Sequence, residues 1–282
     1  MPIKFASFVL AVAVTIPAGG APIFISTGDV NGQMALASRP SSAGVDEIEA
    51  ADDFVLGAAA LLKSGTFTGL LPSGSAVTSV TVEIYRVFPL DSNDPPSGKV
   101  PTRVNSPSDV AFDSRMSGSG LAFSTSTLNP SFTAVNSVLN GINPIPNQTT
   151  GGEGPVTGEE VLFNVDFTSP FSLPAGHYFF IPQVQLDTGQ FLWLSSVRPI
   201  VSPGTPFAPD LQAWIRNEPL APDWLRVGTD IVGGSPAPTF NAAFTLNAES
   251  VPEPSTTLLL LSGGLTLLSA GWFKKHRTRR GV

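Results

Sequence analysis

A period-two alternation of apolar and polar residues runs through the chain, clearest between residues 60 and 250. In "VTSVTVEIYRVF" (77–88), Val80, Val82 and Ile84 fall on one side and Thr81, Glu83 and Tyr85 on the other. Successive side chains of an extended strand point to opposite faces, so this stretch predicts a half-buried strand. "VLFNVDFTSPFSL" (161–173) alternates in the same way, with Phe163, Val165 and Phe167 opposite Leu162, Asn164 and Asp166. "KSGTFTGLLPSGSAV" predicts a strand near 64–70 and a turn at Pro72, Ser73 and Gly74. "FNAAFTLNA" (240–248) predicts a last strand with Phe240, Ala242, Phe244 and Leu246 facing inward.

Turn chemistry punctuates these runs. "AGHYFFIPQVQLDTGQFLWLSS" (175–196) reads as a β-hairpin around Asp187, Thr188 and Gly189, and Pro182 points to an edge or a bulge in its first strand. Residues 89–109 carry five prolines and read as a long loop; a second Pro-rich stretch covers 199–209. "SFTAVNSVLNGI" (131–142) is less regular and reads as a short helix before Gly141. Long helices do not alternate with the strands, which disfavours Rossmann-like and TIM-barrel folds. The expected class is all-β: an antiparallel β-sandwich, with a jelly-roll-like form as one version. A β-solenoid is the alternative, but no regular internal repeat supports it.

Composition sharpens this picture. The chain has 282 residues with 27 Gly and 27 Pro, lacking the three-residue period of collagen, and 19 Phe that argue against disorder. The absence of cysteine excludes thiol nucleophiles and thiolate metal sites. The net charge is −7, although five of the cations sit at 274–280. Between residues 21 and 250 nine Lys/Arg stand against 21 Asp/Glu. Such a balance offers no basic footprint for nucleic acid. A neutral or cation-rich polysaccharide surface fits it better.

The two ends differ from the middle. "MPIKFASFVLAVAVTIPAGGA" holds one charge, Lys4, then an apolar run from Phe5 to Ile16 and the small residues Ala18, Gly19, Gly20 and Ala21. Twelve apolar residues suit the core of a signal peptide cleaved after Ala18 or Gly20, with a buried first strand as the rival reading. At the other end, Pro252, Glu253 and Pro254 precede a stretch free of charge through Phe273. Lys274, Lys275, Arg277, Arg279 and Arg280 follow. As a helix that stretch would rise about 30 Å, enough to span a hydrocarbon core, with its basic end cytoplasmic. A buried terminal helix and a plain C-terminal anchor are the other readings. The expected domains are therefore a signal peptide (1–20), a β-rich ectodomain (21–248), and a tether with a transmembrane helix (249–282).

In its order of triplet, apolar stretch and Arg-rich end, "VPEPSTTLLLLSGGLTLLSAGWFKKHRTRR" resembles the PEP-CTERM sorting signal of Gram-negative bacteria. The resemblance implies export across the inner membrane and transient or permanent anchoring there. It further implies processing near Pro252, Glu253 and Pro254 by an exosortase, a membrane protease-transpeptidase. The destination it implies is the cell surface or extracellular matrix, often beside exopolysaccharide production. "SRPSSAGVDEIEAADDFVL", "VEIYRVFPLDSNDPPSGKVPTRVNSPSDVAF", "LPAGHYFFIPQV" and "PDWLRVGTDI" also resemble uncharacterised PEP-CTERM ectodomains. That second likeness bears on location and domain extent, and brings no catalytic residues with it.

Candidate chemistry in the ectodomain is sparse. Oxygen-rich turns at Asp29 and Asn31, and at Asp91, Asn93 and Asp94, have ligand types calcium accepts. The first lacks the downstream glutamate of an EF-hand loop, since residue 40 is Pro40, and capping of local backbone is the plainer role. No other cofactor and no metal site is expected. The adjacent pairs Asp52/Asp53 and Glu159/Glu160 read as solvated turn charges, because neighbours in a strand point apart and do not straddle a glycosidase cleft. His177 reads as a structural histidine, without a Gly-x-Ser-x-Gly elbow to complete a triad. Trp193, Trp214 and Trp224 could stack on sugars or pack in a core. Trp214 is the candidate glycan contact, because "LQAWIR" would turn it outward with Gln212 and Arg216 while Leu211, Ala213 and Ile215 face inward. The function expected is that of an exported, non-enzymatic cell-surface or exopolysaccharide-matrix protein that binds glycan. The alternative is a secreted glycan-acting enzyme, a glycoside hydrolase or lyase.

Overall fold

The computed structural model describes residues 20–42, 44–88, 97–198 and 211–251. Its first strands are β1 (Pro22–Ser26), β2 (Val30–Ala37), β3 (Ile48–Leu56), β4 (Ala60–Leu71) and β5 (Val77–Arg86). Next come β6 (Asp113–Ser117), β7 (Gly120–Ala134), β8 (Asn136–Val138), β9 (Val156–Leu173) and β10 (Gly176–Leu186). The last are β11 (Leu192–Ser196), β12 (Trp214–Asn217), β13 (Leu225–Arg226), β14 (Asn241–Ala242) and β15 (Phe244–Ser250). One π-helical turn covers Val227–Val232.

Pairing is antiparallel except for β2 with β8 and a two-residue contact of β6 with β7. In one layer β4 is central: β9 and then β7 lie along one edge. Along the other edge β15 and β11 follow one another, the first leading to β1 and the second to β2 and β8. In the second layer the order is β13, β12, β3, β10, β5, β6. The apolar faces meet to form a β-sandwich. Phe180 of β10 stacks on Phe244 of β15 at 5.2 Å between ring centroids and meets Trp193 of β11 edge-on at 6.0 Å. Phe67 of β4 stacks on Phe163 of β9 at 4.7 Å. Each such ring contributes roughly 1.5–3 kcal/mol through burial.

The alternation at 161–167 is observed, with Phe163, Val165 and Phe167 buried. On β5, Val80, Val82 and Ile84 likewise enter the core. The outer face of β5 does not lie in solvent, however. Tyr85 joins Ala51, Val87, Phe179, Ile181, Leu211, Trp214 and Trp224 in a second apolar cluster. Segments beside β6 and β12 cover that cluster: the Trp224 indole donates to the carbonyl of Ser108, and Lys99 Nζ to that of Pro219. The β3, β10 and β12 part of this second layer is therefore buried on both faces.

Several expectations need correction. Residues 131–142 form no helix; they continue β7 and make β8, whose backbone groups pair with β9 and β2. The turn at 187–189 exists, with Gly189 at φ 74°, but β10 and β11 do not pair as a hairpin. One edge of β10 is taken by β5 and the other by β3 as far as Phe180 and then by Ser38, which accepts from the Val184 N–H; the chain crosses to the other layer, where β11 pairs with β4, β2 and β14. Pro182 lies just beyond the last β3–β10 pair, Phe180↔Asp52, and its carbonyl accepts from Ser38 Oγ. Its missing N–H lies on that same edge and breaks no ladder bond there. Residues 249 and 250, expected in a tether, are the last residues of β15.

The expected C-terminal transmembrane helix is not borne out: no helix among the described residues is long and apolar enough to cross a membrane. Backbone groups here are satisfied by strand ladders, and the helical element is one turn of six residues, against about 20 for a span. The run 254–273 on which that expectation was placed lies outside the described residues, as do residues 1–19 of the expected signal peptide.

Candidate functional site

In sequence, the candidate sorting segment follows the last strand of the sandwich. β15 pairs with β4 as far as Ser250↔Ala60, and the Val251 N–H donates to the Ala59 carbonyl at 2.8 Å. Pro252, Glu253 and Pro254 come next and lie outside the described residues. On its other edge β15 pairs with β1, which places Pro22 opposite Glu249. Pro22 and Glu249 thus lie side by side at neighbouring strand termini.

The remaining candidates are placed inside the domain. Trp214 does not face solvent: it is 1% exposed, and its indole donates to the carbonyl of Leu211 at 3.0 Å. The alternation expected in "LQAWIR" holds only from Ala213 onward, since Leu211 lies with Trp214 and not with Ala213 and Ile215, and it sorts residues between two cores. Ala213 and Ile215 enter the main core, while Leu211 and Trp214 enter the second. Trp193 and Trp224 are fully buried as well.

Asp52 and Asp53, read as solvated charges, are completely buried. Beyond Trp214↔Ala51 no strand among the described residues continues the β12 pairing of β3, and Arg198 reaches the two aspartates that follow. Its Nη1 donates to Asp52 at 3.1 Å and its Nη2 to Asp53 at 2.5 Å. Asp52 also accepts from the Ala242 N–H at 2.9 Å, and Asp53 from the Leu211 N–H at 3.3 Å. His177 Nε2 lies 2.5 Å from the other oxygen of Asp53 and lines a cavity of about 310 Å³ with Arg86, Pro174 and Tyr178. Strand neighbours meet one guanidinium here because Arg198 approaches along the open edge. Three acidic residues, Glu49, Asp52 and Asp53, within the nine-residue strand "IEAADDFVL" were the available signal, since buried carboxylates require cationic or N–H partners.

A second ionic cluster holds the covering segments to the outer face of the second layer. Arg216 Nε donates to Glu49, its Nη2 to the Tyr85 hydroxyl at 2.9 Å, and its Nη1 to the carbonyls of Asp109 and Pro222. The same guanidinium lies 4.3 Å from the centre of the Trp224 ring. The Tyr85 hydroxyl donates to Glu49 at 2.8 Å and also lies 3.3 Å from Glu83. Burial, followed by the charges of Glu49 and Glu47, pushes the Glu83 carboxyl up to about 7. Burial also raises Glu47, which accepts from Gln183 at 2.7 Å.

The proposed calcium turns divide. Asn31 serves the backbone: it donates to the Ser196 carbonyl and accepts from Ser195 Oγ and the Gln33 N–H. Asp91, Asn93 and Asp94 lie outside the described residues. Among the described residues no group of three or more His, Cys, Asp or Glu could hold a metal ion. Glu159 accepts from Ser73 Oγ at 2.8 Å, and burial raises Glu160 above the usual carboxylate range.

Residues 250–275 match the PEP-CTERM protein-sorting motif. No curated protein and no solved structure matches the chain. A PEP-CTERM sorting motif is thus present on an otherwise β-sheet domain. It marks a secreted or cell-surface protein subject to processing by an exosortase-type membrane enzyme.

Proposed function

We propose that the protein is a non-enzymatic component of the cell surface or exopolysaccharide matrix and that its ectodomain binds glycan. The observation that carries this reading is the direct junction between the last sandwich strand and the sorting motif. Such a junction suits a compact module delivered to the surface as one piece. The two buried ionic clusters support the non-enzymatic part, because their carboxylates are committed to Arg198 and Arg216 and tie chain segments together. Protein recovered from native cells can be tested for co-purification with extracellular polysaccharide and for release of reducing ends from it. Co-purification without hydrolysis is expected. Hydrolysis abolished by substitution of one carboxylate would sink the non-enzymatic reading and favour a secreted glycan-acting enzyme.

A further inference from the structure

Arg39 follows β2 and starts an excursion of the chain in which Arg39 bridges Ile48 and Ser42 bridges Val45. Its side chain is nearly buried, at 9% exposure. Nη1 donates to the amide oxygen of Gln190, while Nε is buried without a hydrogen-bond partner. Asp46 acts on the guanidinium through its charge, and burial opposes that influence. A buried donor left unmatched costs free energy until an acceptor reaches it.

Two cavities, of about 360 and 480 Å³, adjoin at this guanidinium; Arg39, Val45 and Asn140 line both. Asp46 and Asn217 complete the polar wall of the first, and Asp187 and Gln190 that of the second. Both volumes fall in the range of small-molecule sites, roughly 300–1,000 Å³. We propose that this cleft binds a neutral sugar residue, whose adjacent hydroxyls accept from Arg39 and donate to Asp46 and Asp187.

Charge decides the ligand class. An anionic ligand would satisfy Arg39 but would face two carboxylates at the walls. Asp187 is held below its usual range by the Ala76 N–H, so its charge persists. A cationic ligand would face the guanidinium at the floor. A hydroxyl both donates and accepts, so a vicinal pair suits one fixed cation between two carboxylates. Asn140 and Gln190 add amide groups of both kinds. This proposal deepens the glycan-binding reading and rests on it.

The test compares the native-cell protein with Arg39→Met and Asp46→Ala variants by affinity electrophoresis. The gels contain a neutral glucan, galactan or mannan, or a uronate polymer. Wild type is expected to bind at least one neutral polymer and to prefer it to the uronate. Each substitution should weaken that binding about tenfold or more, the loss expected for a hydrogen bond to a charged group. Asp46 is exposed, so Asp46→Ala should melt with the wild type and decides the matter even if Arg39→Met fails to fold. Neutral polymer bound equally by wild type and Asp46→Ala overturns the cleft while leaving glycan binding intact. Preference for the uronate overturns the neutral-sugar assignment. Binding to no polysaccharide overturns both readings.

Discussion

Pro22 stands directly opposite Glu249 in the antiparallel pairing of β1 with β15, and Glu249 in turn stands opposite Leu61 of β4. The strand that leads into the sorting motif is therefore held on both edges. Cutting within it would remove ladder bonds and the buried side chains of Leu246 and Ala248. Processing is expected to leave β15 whole, so the mature C-terminus lies after Val251 and the basic residues 274–280 are gone. Intact-mass and C-terminal peptide analysis of protein from native cells checks this. A mature chain ending before Ser250, or one retaining Lys274 through Arg280, contradicts it.

Asp53 holds both ends of the 199–210 segment, through Arg198 on one side and the Leu211 N–H on the other. Asp53→Asn leaves a buried guanidinium short of its closest counter-charge. Breaking a buried pair from one side costs about 3–5 kcal/mol. His177→Ala, at the cavity rim, should cost on the order of 1 kcal/mol, the worth of one hydrogen bond. Urea denaturation measures both. An Asp53→Asn midpoint equal to that of wild type would show that the cluster contributes little.

Stability should fall as pH rises between about 4.5 and 7. Glu83 is raised to about 7 in the folded protein, against 4.5 for its unperturbed carboxyl. Below 4.5 both folded and unfolded chains hold the proton. Between the two values the unfolded chain releases it while the folded chain keeps it, which favours unfolding; above 7 the effect is complete. Glu47, also raised, acts in the same direction. The loss should be on the order of 1–3 kcal/mol after allowing for solvent at the partly exposed Glu83. Glu83→Gln should flatten the profile across this window. A stability profile identical to wild type in Glu83→Gln would assign the pH response elsewhere.

Trp214 is a packing residue in this structure, and its substitution should be felt as lost stability. Trp214→Ala is expected to cost roughly 3–5 kcal/mol, the usual range for removing a large buried aromatic. Its loss also leaves the Leu211 carbonyl without the indole donor. Thermal or chemical denaturation provides the measure. A Trp214→Ala variant as stable as wild type that loses polysaccharide binding would instead make the indole a ligand contact.

Period-two alternation made the strand at 77–86 and the apolar face of 161–167 legible in the sequence, because the backbone imposes that period locally. Turn residues likewise marked the reversal at 187–189. Their reach ended at the partner of each strand. The residues of β10 and β11 are equally compatible with a hairpin and with a crossing between layers, and the partners β10 takes from elsewhere, β5 on one edge and β3 and Ser38 on the other, exclude the hairpin.

The sites divide along the same line. Pro252, Glu253 and Pro254, with the uncharged run and basic cluster behind them, form a contiguous signal that a linear reading can detect without knowledge of the fold. Trp214, Asp52 and Asp53 depend on what covers them. Alternation says that Trp214 lies opposite Ala213 and Ile215, but it does not say whether that opposite face meets water or a second core. The covering segments at 97–112 and 217–226 come from distant parts of the chain, as does the Arg198 that pairs with both aspartates. Burial and charge pairing are sums over such non-local neighbours. The sequence determined the strands at 77–86 and 161–173, their main-core sides and the sorting address, while the tertiary structure alone decided which polar residues were enclosed and which, around Arg39, were left facing an open cleft.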